Sequence, residues 1–127
     1  MSSDPPELLR MLRALADPTR LRVVELLAGW VGPRSGPVRA GELGLCARDL
    51  EMVIGLPHAL LSHHLRTLRN VGLVEVERRG RWAVHRLCQD QFAQVGGALL
   101  QLSAPQRPRI VPAESARGST LTASLSG

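Results

Sequence analysis

The 127-residue chain has no lysine and no tyrosine, and its aromatic side chains are limited to Trp30, Trp82 and Phe92. The missing lysine excludes a phosphate-loop lysine, a Schiff-base lysine and an amine to which a cofactor is linked. Three aromatics are too few for the stacking platforms that hold single-stranded nucleic acid. No uninterrupted apolar run approaches the ~18 residues of a membrane span. Residues 1–7 are acidic, lack an apolar stretch and do not read as a signal peptide. Cysteine occurs only at Cys46 and Cys88, which suits a reducing compartment better than a disulfide scaffold. These absences lead us to expect a soluble cytosolic protein with no membrane partner, and the length suits one domain with a sizeable core.

Arginine supplies all 16 basic residues. Residues 1–56 carry seven Arg and seven acids, whereas residues 57–88 set Arg66, Arg69, Arg78, Arg79, Arg81 and Arg86 against only Glu75 and Glu77. Most of the net charge of +5 therefore falls in one block, which also holds all four His. Charge focused in this way is the footprint of a nucleic-acid binder; a solubilising arginine face is the plainer alternative, and charge alone does not separate them.

Leu8, Met11, Leu12 and Leu15 recur at helical spacing. Asp17-Pro18 then offers an N-cap followed by proline at the first helical position, opening a second helix that runs to about Ala28. The span 29–41, with four Gly and two Pro, reads as an exposed and mobile loop insertion. A short helix over 47–54 ends at Gly55 in the left-handed conformation a C-cap favours. From Pro57 to Val71 a longer helix collects Leu60, Leu61, His64, Leu65 and Leu68 on one side, with His58, Ser62, His63, Arg66 and Arg69 opposite. Two alternating runs, 73–78 and 81–87, around Arg79-Gly80 read as a β-hairpin. A last helix spans 90–102, and the Pro/Ser/Thr/Arg-rich tail 103–127 reads as disordered.

The expected fold is mostly α with a β-hairpin wing, a winged helix-turn-helix domain over residues 1–102. Such a fold inserts the exposed face of the long helix in a major groove, while the hairpin reaches the flanking backbone or minor groove. The candidate DNA contacts are His58, Ser62, His63 and Arg66 toward base edges, Arg69 toward phosphate, and Arg78, Arg79 and Arg81 at the hairpin tip. Arg20 and Arg22, near Asp17 and Glu25, read as a solvated helix face. Ser62 beside His63 does not read as a catalytic pair, because neighbours on a helix point apart and no third group is evident.

Three segments carry a resemblance: Leu15-Ala16-Asp17-Pro18-Thr19-Arg20-Leu21-Arg22, then Leu61-Ser62-His63-His64-Leu65-Arg66 through Leu73-Val74, then Gly80-Arg81-Trp82. Their order and spacing are similar to ArsR/SmtB-type winged-helix repressors. The resemblance implies a homodimeric repressor that joins through its first and last helices on a double-stranded operator. It also implies an inducer, often a metal or metalloid, that releases the DNA. Metalloid- and soft-metal-sensing members carry Leu-Cys-Val-Cys-Asp-Leu ahead of the recognition helix, where this chain reads Leu45-Cys46-Ala47-Arg48-Asp49-Leu50. Arg48 replaces the second thiolate, and one thiol does not satisfy a soft metal that wants three or four ligands. Cys46 and Cys88 remain the candidate sensing residues, either in a site shared between protomers or as thiols, with Arg48 favouring the Cys46 thiolate. The plainer reading of each is a small buried hydrophobe.

The function expected is a sequence-specific repressor released allosterically by an effector, with no cofactor assigned beyond a possible metal or metalloid inducer. The alternatives are a thiol-responsive or effector-independent DNA-binding regulator and a winged-helix protein-interaction module. No nucleophile–base pair or phosphate loop points to an enzyme.

Overall fold

The computed structural model describes residues 5–39 and 41–103. The elements are α1 Pro5–Leu15, α2 Pro18–Gly29, β1 Leu45–Cys46, α3 Ala47–Ile54, α4 His58–Asn70, β2 Val74–Arg79, β3 Trp82–Leu87 and α5 Gln89–Ser103. The expectation of a disordered tail over 103–127 falls, apart from Ser103 at the end of α5, outside the described residues.

Local signals fix most of these boundaries. Asp17 caps α2 by accepting from the Arg20 N–H at 2.9 Å, and Pro18 follows where its missing N–H costs nothing. That hydrogen bond holds the Asp17 carboxyl below its ordinary pKa. Gly55 ends α3 at φ 81°, and α4 begins three residues later at His58. Met11, Val23, Leu27, Leu50, Leu61, Leu68 and Leu73 are fully enclosed, so α1 to α4 and the start of β2 share one core. Leu60, expected inside, is about half exposed, as is Leu21 of α2, whose buried side chains are Val23, Val24, Leu26 and Leu27.

The wing differs from the expected hairpin in two ways. A third strand, the two-residue β1, pairs antiparallel with β3, giving the sheet order β1-β3-β2. The turn also lies one residue later, at Gly80-Arg81, with Arg79 paired to Trp82 inside the ladder. Alternation then divides the sheet. Val76 opposite His85 and Arg78 opposite Ala83 share the face toward α4, where all four line a common hollow. Glu77 opposite Val84 and Arg79 opposite Trp82 share the other face.

That other face is covered by the segment between α2 and β1, which the sequence led us to expect as a mobile loop. It is instead anchored at several points. The Ser35 N–H and hydroxyl donate to the buried Asp49 carboxylate at 2.7 and 2.8 Å, and the Cys46 thiol donates to the Ser35 carbonyl. Arg34 donates to the carbonyls of Trp30 and Gly44, and Arg79 donates to that of Pro37. Gly36 sits so close to the wing that a Cβ there would lie 2.8 Å from the Trp82 ring and 2.9 Å from Cys46 Sγ, at a φ of +76° that already favours glycine.

Candidate nucleic-acid interface

The polar face of α4 is open. Leu61, Leu65 and Leu68 turn inward, while His58, His63, Arg66, Arg69 and Asn70 are exposed and Ser62 is half-exposed. His58, Ser62 and His63 occupy its first two turns, and Arg66 and Arg69 the turns that follow.

His58 is held from two sides. Its Nδ1 lies 2.6 Å from Glu51 Oε2 of α3, and its Nε2 lies 3.3 Å from the Ser62 hydroxyl one turn along α4. Ser62 thus pairs with His58 rather than with its neighbour His63, and behind His58 stands Glu51, seven residues earlier across the Gly55-Leu56-Pro57 turn. The chain Glu51–His58–Ser62 orients both polar side chains on the exposed face. A neutral His58 that donates from Nδ1 to Glu51 offers its Nε2 lone pair to the Ser62 hydroxyl.

His64, on the inner side of α4, meets Arg20. The guanidinium donates from Nε to the Ala14 carbonyl at 2.6 Å, and its NH1 lies 3.1 Å from His64 Nδ1. Asp17 Oδ2 is 3.9 Å from the same ring nitrogen. Arg20 is therefore not a solvated surface cation: it joins the end of α1, the start of α2 and the middle of α4. Arg22 does behave as expected, forming an exposed i,i+3 pair with Glu25.

The wing arginines have different surroundings. Arg78 is exposed on the α4-facing side of the sheet, and Arg81 lies 5.6 Å from the Trp82 ring centroid. Arg79 forks onto Glu42 and Glu77, and Arg86 joins the same cluster through Glu77 and Glu75. Hydrogen bonds from Arg79 pull Glu42 and Glu77 down to about 2, with Arg86 adding to the effect at Glu77. The same bonds raise Arg79. Its guanidinium is committed to holding the wing against the covering loop.

Cys46 is buried and Cys88 half-buried, both as free thiols. The expectation that Arg48 would favour the Cys46 thiolate is corrected by its setting. Burial, followed by the nearby Asp49 charge, raises the thiol's pKa, while Arg48 is exposed. Among the described residues no three His, Cys, Asp or Glu gather to hold a metal ion. The described residues of one protomer thus hold no donor set that fits the metal or metalloid inducer the resemblance implies.

A sequence profile described as "Bacterial regulatory protein, arsR family" matches residues 39–76, from the end of the loop through α3 and α4 into β2. The HTH-type transcriptional regulator CmtR of Mycobacterium tuberculosis is 36% identical over 96 residues, covering 75% of this chain and 70% of that protein. This chain belongs to the ArsR family. The HTH-type transcriptional regulator NmtR of the same organism is 39% identical over 84 residues, 66% of this chain and 59% of that protein. A cadmium resistance transcriptional regulatory protein CadC homolog from Staphylococcus aureus is 27% identical over 92 residues, 72% of this chain and 66% of that one. The ArsR-family chain thus spans less than two thirds of the length of both NmtR and the CadC homolog. In fold it is similar to the homodimeric winged helix-turn-helix DNA-binding domain of Mb0332 from Mycobacterium bovis, with TM-score 0.55, 23% identity and coverage of 77% of this chain and 79% of that domain.

Proposed function

We propose that this ArsR-family chain is a homodimeric transcriptional repressor that reads an operator through α4 and is released from it by an effector. The observation carrying this reading is the division of the arginines. Arg66, Arg69 and Arg78 have no hydrogen bond or ion pair to an acid among the described residues, and Arg81 engages only the Trp82 ring, whereas Arg79 and Arg86 are bound by acids. The unneutralised cations lie along the recognition helix and the wing, where a duplex backbone would pass. In this reading His58, Ser62, His63 and Arg66 face bases, Arg69, Arg78 and Arg81 face the backbone, and Arg79 braces the wing.

The dimer is supported by α5. Of its apolar side chains only Val95 is buried, while Leu99, Leu100 and Leu102 stay open, as does Leu9 of α1. A second copy laid against α1 and α5 would cover them. The covering of Cys46 favours release by something other than a thiol site within one protomer.

Fluorescence anisotropy on DNA from upstream of the protein's own gene tests the reading, with a scrambled duplex of equal length as control. Selective binding supports it. Equal binding to both duplexes at moderate salt overturns sequence-specific repression and favours a protein-interaction module.

A further inference from the structure

A hollow of about 350 Å³ lies between α4 and the α4-facing side of the wing. Arg66 and Arg69 of α4 and Arg78 of β2 border it, with Ser62 beside them, and no carboxylate is in its lining. Glu51 comes near only through its bond to His58, which also lines the hollow. In the wall stands His85, 4% exposed, whose Nδ1 is buried without a hydrogen-bond partner. Burial, followed by the charge of Arg69, pushes its pKa down to about 4 against the opposing pull of the Ala83 and Leu45 backbone, so the ring is neutral at pH 7. A neutral imidazole carries one N–H, which either ring nitrogen can bear. Buried polar atoms in folded proteins are nearly always paired; the Ala83 and Leu45 backbone lies near the ring, yet Nδ1 itself makes no hydrogen bond of ordinary geometry, beside three arginines that no acid pairs.

We propose that this hollow binds a free small-molecule anion of the phosphate-monoester class, and that its occupancy competes with operator DNA. The proposal rests on the DNA-reading role of α4 and names the effector chemistry that would end it. The anionic oxygens would take the guanidinium groups, in the planar two-donor geometry arginine favours. His85 Nδ1–H would supply a donor deeper in the site. The volume sits at the small end of ligand pockets, ~300–1,000 Å³, and exceeds what one phosphoryl group fills, leaving room for a compact organic body against Leu65, Val76 and Ala83. A duplex backbone passing over α4 meets the bordering arginines but not the buried Nδ1. Both ligands therefore need Arg66, Arg69 and Arg78, while only the small one needs His85.

The test uses the full-length protein at fixed ionic strength, with ribose 5-phosphate and inorganic phosphate as probes and chloride as the control anion. Calorimetry is expected to show saturable binding of ribose 5-phosphate, one per protomer. Anisotropy should show release of a labelled operator beyond that caused by chloride. His85→Leu should weaken the phosphate ester by about ten-fold, the loss of one charge-assisted hydrogen bond, while operator affinity stays within about two-fold. Arg78→Ala should also weaken the ester, and gives a second variant should His85→Leu fail to fold. Release no greater than with chloride, or ester binding unchanged in both variants, overturns the proposal. If neither free phosphate binds while His85→Leu weakens operator and scrambled duplex alike, the hollow serves a backbone phosphate and the free-ligand proposal falls. Saturable ester binding by a protein that binds no duplex supports the anion site and defeats the DNA reading instead.

Discussion

Replacing Arg20 by methionine probes how the recognition helix is held. Methionine keeps much of the aliphatic stem and removes the guanidinium, so packing is largely preserved while two contacts vanish. One is the Nε donation to the Ala14 carbonyl at 2.6 Å, and the other joins NH1 to His64 Nδ1 at 3.1 Å. Hydrogen bonds to charged groups contribute about 1.5–3 kcal/mol each, and the partial exposure of this site brings the pair to about 2–3 kcal/mol in total. For a domain of this size that corresponds to a drop of about 8–20 °C in melting temperature. Thermal melts by circular dichroism should be run at one protein concentration, because dimer stability depends on it. Arg20→Met with His64→Leu should close a double-mutant cycle with a coupling of about 1 kcal/mol. At a temperature where both proteins are folded, Arg20→Met should also bind operator more weakly, since α4 loses its tie to the α1–α2 corner. A melt within about 2 °C of wild type, or strictly additive single variants, would refute the reasoning.

The two kinds of wing and helix arginine should separate in DNA titrations. Arg66→Ala should weaken operator binding with loss of base discrimination, and Arg69→Ala should reduce the salt slope by about one. Arg79→Ala should leave the salt slope unchanged and speed proteolysis within residues 30–44. Acid should release the loop from the wing. Glu42 and Glu77 sit near 2 in the fold against an ordinary 4.5, so their stabilising effect is present above about 4.5 and lost as pH falls toward 2. His85 adds to this between about 6.5 and 4, where the unfolded chain takes a proton that the fold refuses. Trp82 fluorescence against pH reads the change, and Glu42→Gln should remove the loop's share of it. Cys88 should be alkylated by iodoacetamide well before Cys46, whose thiol is buried and raised in pKa. Equal labelling rates in the native protein would contradict the burial argument.

The elements readable in the sequence were those with a periodic or capping signal. The helical spacing in α1, the Asp17-Pro18 start, the Gly55 stop and the inward Leu61, Leu65 and Leu68 of α4 are all local, and the structure keeps them; Leu60 it turns outward. What escaped were contacts that only the fold makes. β1 is two residues long, has no period of its own, and exists through its pairing with His85 and Val84. Arg20 and His64 are 44 positions apart, and Ser35 and Asp49 14 apart, so neither pair leaves a trace in any sequence window. The wing shows how little separates two outcomes. Moving the turn by one residue, to Gly80-Arg81, keeps Arg78 on the α4 side and sends Arg79 to Glu42 and Glu77. The acids at Glu75 and Glu77, alternating with Arg79 on one strand face, were the available clue to that pairing. For Cys46, the adjacent Arg48 suggested an activated thiol, but adjacency in sequence says nothing about the Ser35–Gly36 segment that covers the sulfur.

Hydroxyl-radical and methylation-protection footprinting on the DNA upstream of the protein's own gene tests the central claim most directly. Two recognition helices related by a two-fold axis should protect two major-groove half-sites with centres about 34 Å apart, one helical turn. Arg66→Ala should erase protection of guanine N7 within each half-site while leaving backbone protection largely in place. Protection of that form would establish α4 as the reading helix of a dimer. A uniform backbone footprint without groove protection, unchanged by Arg66→Ala, would contradict it.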